Sequence, residues 1–201
     1  MEKQIKKWNR AAKSLDWAGP GIERRYGKFK RELFSKANGK ILLVAAGTGL
    51  DFGHLPDGQD VTAVDFSPAM LARAAKRADS YNGNLRLLLG DIQRLPFPDI
   101  AFDTIVTSCT FCSVPDPVKG LVELRRVLKP GGRLLMFEHV RPGNFFLGLL
   151  TDFMSPISRL FGPELNRRTA NNVQRAGFEI TREFNVYLDV VKIYEAQKSN
   201  N

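Results

Sequence analysis

The chain has 201 residues, 43% of them hydrophobic and 25% charged, with a formal net charge of +9. That length and balance suit one domain with a sizeable core and exclude a disordered, collagen-like or disulfide-stapled chain. Two cysteines make no disulfide framework, no apolar run approaches the ~20 residues of a membrane span, and the excess charge favours an anionic partner or surface.

The first stretch, Met1 to Arg31, carries Lys3, Lys6, Lys7, Arg10, Lys13, Arg24, Arg25, Lys28, Lys30 and Arg31 against Glu2, Asp16 and Glu23. Ile5, Trp8, Ala12 and Leu15 share one helical face rimmed by these bases. The pattern predicts a basic amphipathic helix, either packed on the domain or laid on an anionic membrane with Trp8 and Trp17 at the interface. Gly19-Pro20-Gly21 is expected to break it, and Arg24 to Ser35 to form a second helix. The charged amino terminus lacks the apolar core of a secretory leader.

Ile41-Leu42-Leu43-Val44 reads as a buried strand, closed at once by Ala45-Ala46-Gly47-Thr48-Gly49. Small residues let the backbone turn sharply and approach a ligand, and N–H groups at such a turn attract the polar part of a nucleotide-like molecule. Val61 to Asp65 is a second strand ending in an acid, 16 residues past Gly49, where a carboxylate can accept from both hydroxyls of a ribose. Ser67-Pro68 starts a helix through Ala78, with Ser67 as cap and the proline in the first turn. Leu85 to Leu89 is a third strand, ending in Gly90-Asp91-Ile92. Ala101 to Val106 is a fourth, followed by Thr107-Ser108-Cys109-Thr110. These small and polar strand ends fall where open α/β sheets bind ligands.

Asp116-Pro117 opens a helix predicted to run through Leu128, Pro130-Gly131-Gly132 ends it, and Arg133 to Phe137 is a fifth strand with Glu138-His139 at its tip. Asn144 to Gly162 is strongly apolar, with Phe146, Leu149, Leu150, Phe153, Ile157, Leu160 and Phe161 at a helical spacing that Pro156 interrupts. It reads as a helix on the sheet, or as an apolar tunnel or membrane-facing lid flanked by Arg141, Arg159, Arg167 and Arg168 for anionic headgroups. Thr169 to Ala176 is a helix stopped by Gly177, Phe178 to Phe184 and Tyr187 to Ala196 are a closing hairpin, and Gln197 to Asn201 a frayed tail.

Four stretches in this order, VAAGTG (44–49), VDFSPAML (64–71), GDIQRLPFPDIAFDTIV (90–106) and RVLKPGGRLLMFEHV (126–140), resemble the class I S-adenosylmethionine-dependent methyltransferases, and among them the quinone C-methyltransferases. The chain departs from that pattern at Leu43, where the family usually has an acid, and at Ala45, where it usually has a glycine. The resemblance implies a Rossmann-like α/β fold: a seven-stranded sheet with helices on both faces and the last strand antiparallel. It divides the single domain into a helical cap (1–35), a cofactor core (36–140), a lid insertion (141–168) and a closing helix and hairpin (169–201). It implies S-adenosylmethionine as cofactor and no metal, with Tyr26, Ala45, Gly47, Thr48, Gly49, Asp65, Phe66, Met70, Gly90, Asp91, Ile92, Cys109 and Thr110 around the cofactor. Phe111, Arg141, Phe145, Phe146 and Phe153 are placed at the acceptor, and Glu138 and His139 are the candidate bases.

Cys109-Thr110-Phe111-Cys112 has redox spacing, but its position matches the family's cofactor contact, and with His54 and His139 it fits no zinc module. The string TSCTFCSVPDP resembles small membrane-associated thiol methyltransferases and bacterial phospholipid N-methyltransferases. The expected function is therefore methylation of a lipid or amphiphilic small molecule, with phospholipid amine N-methylation favoured. Quinone C-methylation and thiol S-methylation are the alternatives within the class, and an RNA-binding or RNA-modifying protein is the alternative outside it. The expected setting is cytoplasmic, peripheral on the inner membrane face, with nucleic acid disfavoured because the aromatics cluster in the apolar stretch rather than in a base-reading pocket.

Overall fold

Residues of the central strand, β1 (Lys40–Val44), alternate between two buried clusters: Leu42 and Val44 enter one, Ile41 and Leu43 the other. Both faces of this strand are therefore covered, and each branched side chain so enclosed contributes roughly 1.5–3 kcal/mol. The computed structural model describes residues 2–198, and of 159–161 the backbone alone. Around β1 the sheet is completed by β2 (Asp60–Asp65), β3 (Asn84–Leu89), β4 (Phe102–Ser108), β5 (Leu128–His139), β6 (Phe178–Tyr187) and β7 (Val191–Lys198). The seven strands lie in the order β3-β2-β1-β4-β5-β7-β6. The pairs from β3 across to β5 are parallel, while β7 runs antiparallel to both β5 and β6. This is the Rossmann-like methyltransferase sheet that the motif order implies. The strand order reverses between β1 and β4, so their carboxyl ends splay apart and leave a crevice for a ligand.

Two helices start as their sequences predict. In α2 (Pro68–Ala78) the Ser67 hydroxyl accepts from Met70 N at 3.2 Å, and in α3 (Pro117–Val127) Asp116 accepts from Lys119 N at 3.0 Å. Two others differ from expectation. The segment that Gly19-Pro20-Gly21 was to break is one helix, α1 (Glu2–Phe34), with Pro20 inside it. Tertiary anchors on both sides of the proline override the local signal. Asn9 Oδ1 accepts from Ser67 Oγ at 2.6 Å, Asp16 pairs with Arg73 and Arg77, and Lys30 reaches Asp51. Gly19 meanwhile lets the Leu50 side chain pack 3.1 Å from where a Cβ would stand. Likewise α4 (Phe145–Phe161) runs through Pro156, steadied by Ser155, whose hydroxyl donates to Asn166 Oδ1 at 2.8 Å.

Strand β5 begins earlier than predicted and takes in Pro130-Gly131-Gly132, where its register against β4 shifts. The short α5 (Thr169–Arg175) leads into the closing hairpin, and Gln197 and Lys198, read as frayed, belong to β7. Met1 and 199–201 lie outside the described residues, as do the side chains of Arg159, Leu160 and Phe161 that the lid reading invoked. Among the described residues no helix is long and apolar enough to cross a membrane.

Candidate active site

At the carboxyl edge of the sheet lies a cavity of about 610 Å³, roofed by α1. Its floor is the turn after β1. Ala45, Gly47 and Gly49 there take φ of +52°, +56° and +82°, and Cys109 at the end of β4 takes +51°. A non-glycine residue in this region costs about 1–2 kcal/mol, so two of them at one edge mark a place where backbone shape matters more than local comfort. A Cβ on Gly47 would meet nothing closer than Ala45 O at 3.9 Å, so that face is open to a ligand. Gly49 differs. Its Cβ would stand 2.6 Å from the Phe52 ring and 3.1 Å from Ala74 Cα, so it serves close packing against α2 and does not line the cavity.

Asp65 closes one end. It is buried, and its carboxylate accepts from Gly47 N at 2.9 Å and Ser67 N at 2.8 Å. Burial raises its pKa, against those same backbone donors that lower it. A carboxylate has about four acceptor sites, so two remain for a pair of hydroxyls. Phe66, Met70, Gly90, Asp91 and Ile92 line the same end, and Asp91 accepts from Gln93 N at 3.0 Å. The other end is lined by Tyr26, Lys30, Asp51, Cys109, Thr110, Phe137 and His139. Burial, with the nearby Lys30 ammonium, lowers the His139 pKa and keeps its imidazole neutral.

Of the residues expected around a cofactor, all but Gly49 line this cavity. The acceptor-side expectations fare differently. Successive side chains of a strand point to opposite faces. His139 and Phe137 face the cavity, whereas Glu138 is enclosed, accepting from the Thr107 hydroxyl at 2.7 Å and from Thr110 N and Phe111 N at 3.2 and 3.0 Å. It holds the loop after β4 in place. Phe111 is a core residue. Arg141 is committed to Asp152, with Nη2 2.8 Å from Oδ2. Phe145, Phe146 and Phe153 are 72%, 78% and 77% exposed and stand away from the cavity. Conversely, Gln4, Trp8, Lys30 and Asp51 line it without having been expected there. Trp8, read as an interface anchor, turns inward, while Trp17 is 87% exposed. Lys30 was findable, because it follows Tyr26 by four residues on one helix face. Burial pushes both thiols up, Cys112 to about 12, so neither is a thiolate nucleophile at neutral pH.

The donor set fits S-adenosylmethionine. It provides a buried carboxylate for vicinal hydroxyls, apolar walls for a purine, an open glycine turn, and a cavity within the usual ~300–1,000 Å³ of ligand sites. Comparison with known proteins agrees. A family described as the methyltransferase domain matches residues 42–136. That match spans just under half of the chain, from β1 into β5. A demethylmenaquinone methyltransferase of Thermus thermophilus is 41% identical over 118 residues, covering 57% of this chain and 54% of that protein. The ubiquinone/menaquinone biosynthesis C-methyltransferase UbiE of Geotalea daltonii is 36% identical over 129 residues, 61% of this chain and 55% of that one. The chain thus spans about half the length of the curated relatives it matches. A crystal structure of a SAM-dependent methyltransferase from Aquifex aeolicus superimposes with a TM-score of 0.71 at 22% identity, covering 94% of this chain and 97% of that one. The two curated relatives overturn the expectation of phospholipid amine N-methylation, since one is named a demethylmenaquinone methyltransferase and the other a ubiquinone/menaquinone biosynthesis C-methyltransferase. The misleading string TSCTFCSVPDP covers only the end of β4, the loop after it and the first residue of α3, too short to specify an acceptor.

Proposed function

We propose that this chain transfers the methyl group of S-adenosylmethionine to a ring carbon of a quinone-type amphiphile in its reduced, phenolic form. The reading rests on one cavity that places the cofactor-type loop beside a neutral His139. The sulfonium supplies an already strong methyl donor, so the chain's task is to bind, align and exclude water. The ring needs activation, because a phenolate pushes electron density onto its ortho carbon far better than a phenol does. With the cofactor bound, His139 would take the phenolic proton; the ring carbon that gains the methyl would then give up its own proton to restore the aromatic ring, and the cofactor would leave as a neutral thioether. Incubation with S-adenosylmethionine and reduced benzo- and naphthoquinols should yield a carbon-bound methyl group, located by mass spectrometry and NMR. The absence of any ring-methylated product across the series would sink the assignment.

In the same reading Asp65 holds the ribose, and Phe66, Met70 and Asp91 receive the adenine. Asp65→Ala should weaken S-adenosylmethionine binding about tenfold to a hundredfold by calorimetry, since a charged hydrogen-bond acceptor is worth roughly 1.5–3 kcal/mol. Unchanged affinity would remove Asp65 from the site.

An amphiphilic acceptor has to be collected from lipid, and the surface supports this. On α4, Phe145, Phe146, Leu149, Leu150, Phe153 and Ile157 are all exposed. Lys7 Nζ donates to Gly162 O at 2.7 Å, so the basic half of α1, with exposed Lys3, Lys6, Arg10 and Lys13, lies beside the end of α4. Gly162 and Pro163 belong to the cavity wall, which roots this apolar helix at the site. Each base near an anionic surface is worth about 1 kcal/mol, and the attraction fades over a Debye length of ~8 Å. Co-sedimentation with anionic vesicles should decline as salt rises, and Phe146→Asp with Phe153→Asp should lower it at least tenfold, as roughly 1.5–3 kcal/mol per buried Phe implies. A chain that ignores anionic vesicles at low salt would take its acceptor from solution.

A further inference from the structure

The charged groups of the cavity divide into two sets. Asp65 and Asp91 sit at the ends of β2 and β3, with hydrogen bonds to nearby backbone N–H groups. Lys30 and Asp51 sit at the far end, with Tyr26, Cys109, Phe137 and His139. Lys30 is the only lysine or arginine among the described residues that line the cavity. It is 6% exposed, its Nζ stands 2.8 Å from Asp51 Oδ1 and 5.4 Å from the centre of the Phe137 ring. Burying an ammonium is costly, and one ion pair rarely offsets the loss of water.

Asp51 is unusual in a complementary way. It occupies the cap position of the 3-10 turn Phe52–His54, yet its side chain makes no capping hydrogen bond and turns to Lys30 instead. The strand before the glycine turn offers no charge of its own, since Leu43 is apolar and buried in the core. A charged pair that gives up a cap to face a cavity suits a ligand carrying both signs.

We propose that Lys30 and Asp51 together bind the amino-acid end of S-adenosylmethionine, Lys30 taking the carboxylate and Asp51 the ammonium. This rests on the cofactor reading of the cavity and goes beyond it by assigning the zwitterionic subsite. An ammonium has three N–H donors, and the hydrogen bond to Asp51 uses one. Asp51 Oδ1 receives Lys30, which leaves its second oxygen for a ligand ammonium. Because Lys30 belongs to α1, the same contact would draw the roof onto the cofactor, so occupancy and closure are coupled through one side chain.

Two ligands separate this subsite from the rest of the cavity. S-adenosylhomocysteine carries the amino-acid end, whereas 5′-deoxy-5′-methylthioadenosine keeps the adenine, ribose and thioether and lacks it. Calorimetry on the full chain should show Lys30→Met and Asp51→Asn each weakening S-adenosylhomocysteine about tenfold or more, the loss expected for a charged hydrogen bond. Methylthioadenosine affinity should stay within about twofold in both, which also shows that the variants are folded. Equal losses for both ligands, or no loss for either, would overturn the assignment. A wild-type chain that binds neither nucleoside would overturn the cofactor reading itself, a different failure.

Discussion

His139→Gln should lower kcat about a hundredfold while leaving S-adenosylmethionine affinity within about twofold. A positioned general base contributes ~10²–10⁴ to a rate, and glutamine keeps the size and polarity of the site but cannot take a proton at neutral pH. The sign of the pH dependence follows from the environment. Burial and the Lys30 ammonium both lower the His139 pKa, so the imidazole stays neutral down to a pH below its ordinary value of about 6.5. The acid-side midpoint of wild-type kcat on a phenolic acceptor should therefore fall below pH 6.5, and the variant should lose that limb altogether. Stopped assays across pH 5 to 8, with cofactor affinity measured in parallel, distinguish the cases. A variant with wild-type turnover would return His139 to a wall-lining role.

The fold and most of the cavity wall around Asp65 were legible because they rest on short-range rules. A branched apolar run closed by small residues, an acid at the tip of the next strand and a Ser-Pro cap are each local patterns, and their order fixes the topology. What was not legible depended on partners distant in sequence. Gly19-Pro20-Gly21 reads as a break, and only Asn9 on Ser67 and Asp16 on Arg73 and Arg77 show why α1 continues. Glu138 and His139 look equivalent as adjacent polar residues at a strand tip, but the pleat sends one to Thr107, Thr110 and Phe111 and the other to the cavity. The aromatics of α4 carry the composition of a lined tunnel, yet among the described residues no element packs over Phe145, Phe146 or Phe153.

Glu138 should make the stability of the whole chain fall as pH rises through neutrality. Its carboxyl is fully enclosed, and burial pushes its pKa to about 7, although the Thr107 hydroxyl and two backbone N–H groups favour the anion. Desolvation wins that contest, so the folded state prefers the protonated acid more strongly than the unfolded chain does. The stabilising contribution is complete below the ordinary glutamate value of about 4.5 and is lost as pH climbs through 7. A shift of this size corresponds to roughly 3 kcal/mol at about 1.36 kcal/mol per unit. Glutamine cannot ionise, so Glu138→Gln should remove the slope: its stability relative to wild type should improve by roughly 3 kcal/mol between pH 4.5 and 8.5. Urea unfolding at a series of pH values measures this directly. A constant difference between the two proteins would mean that Glu138 stays charged throughout, with its three hydrogen bonds outweighing burial.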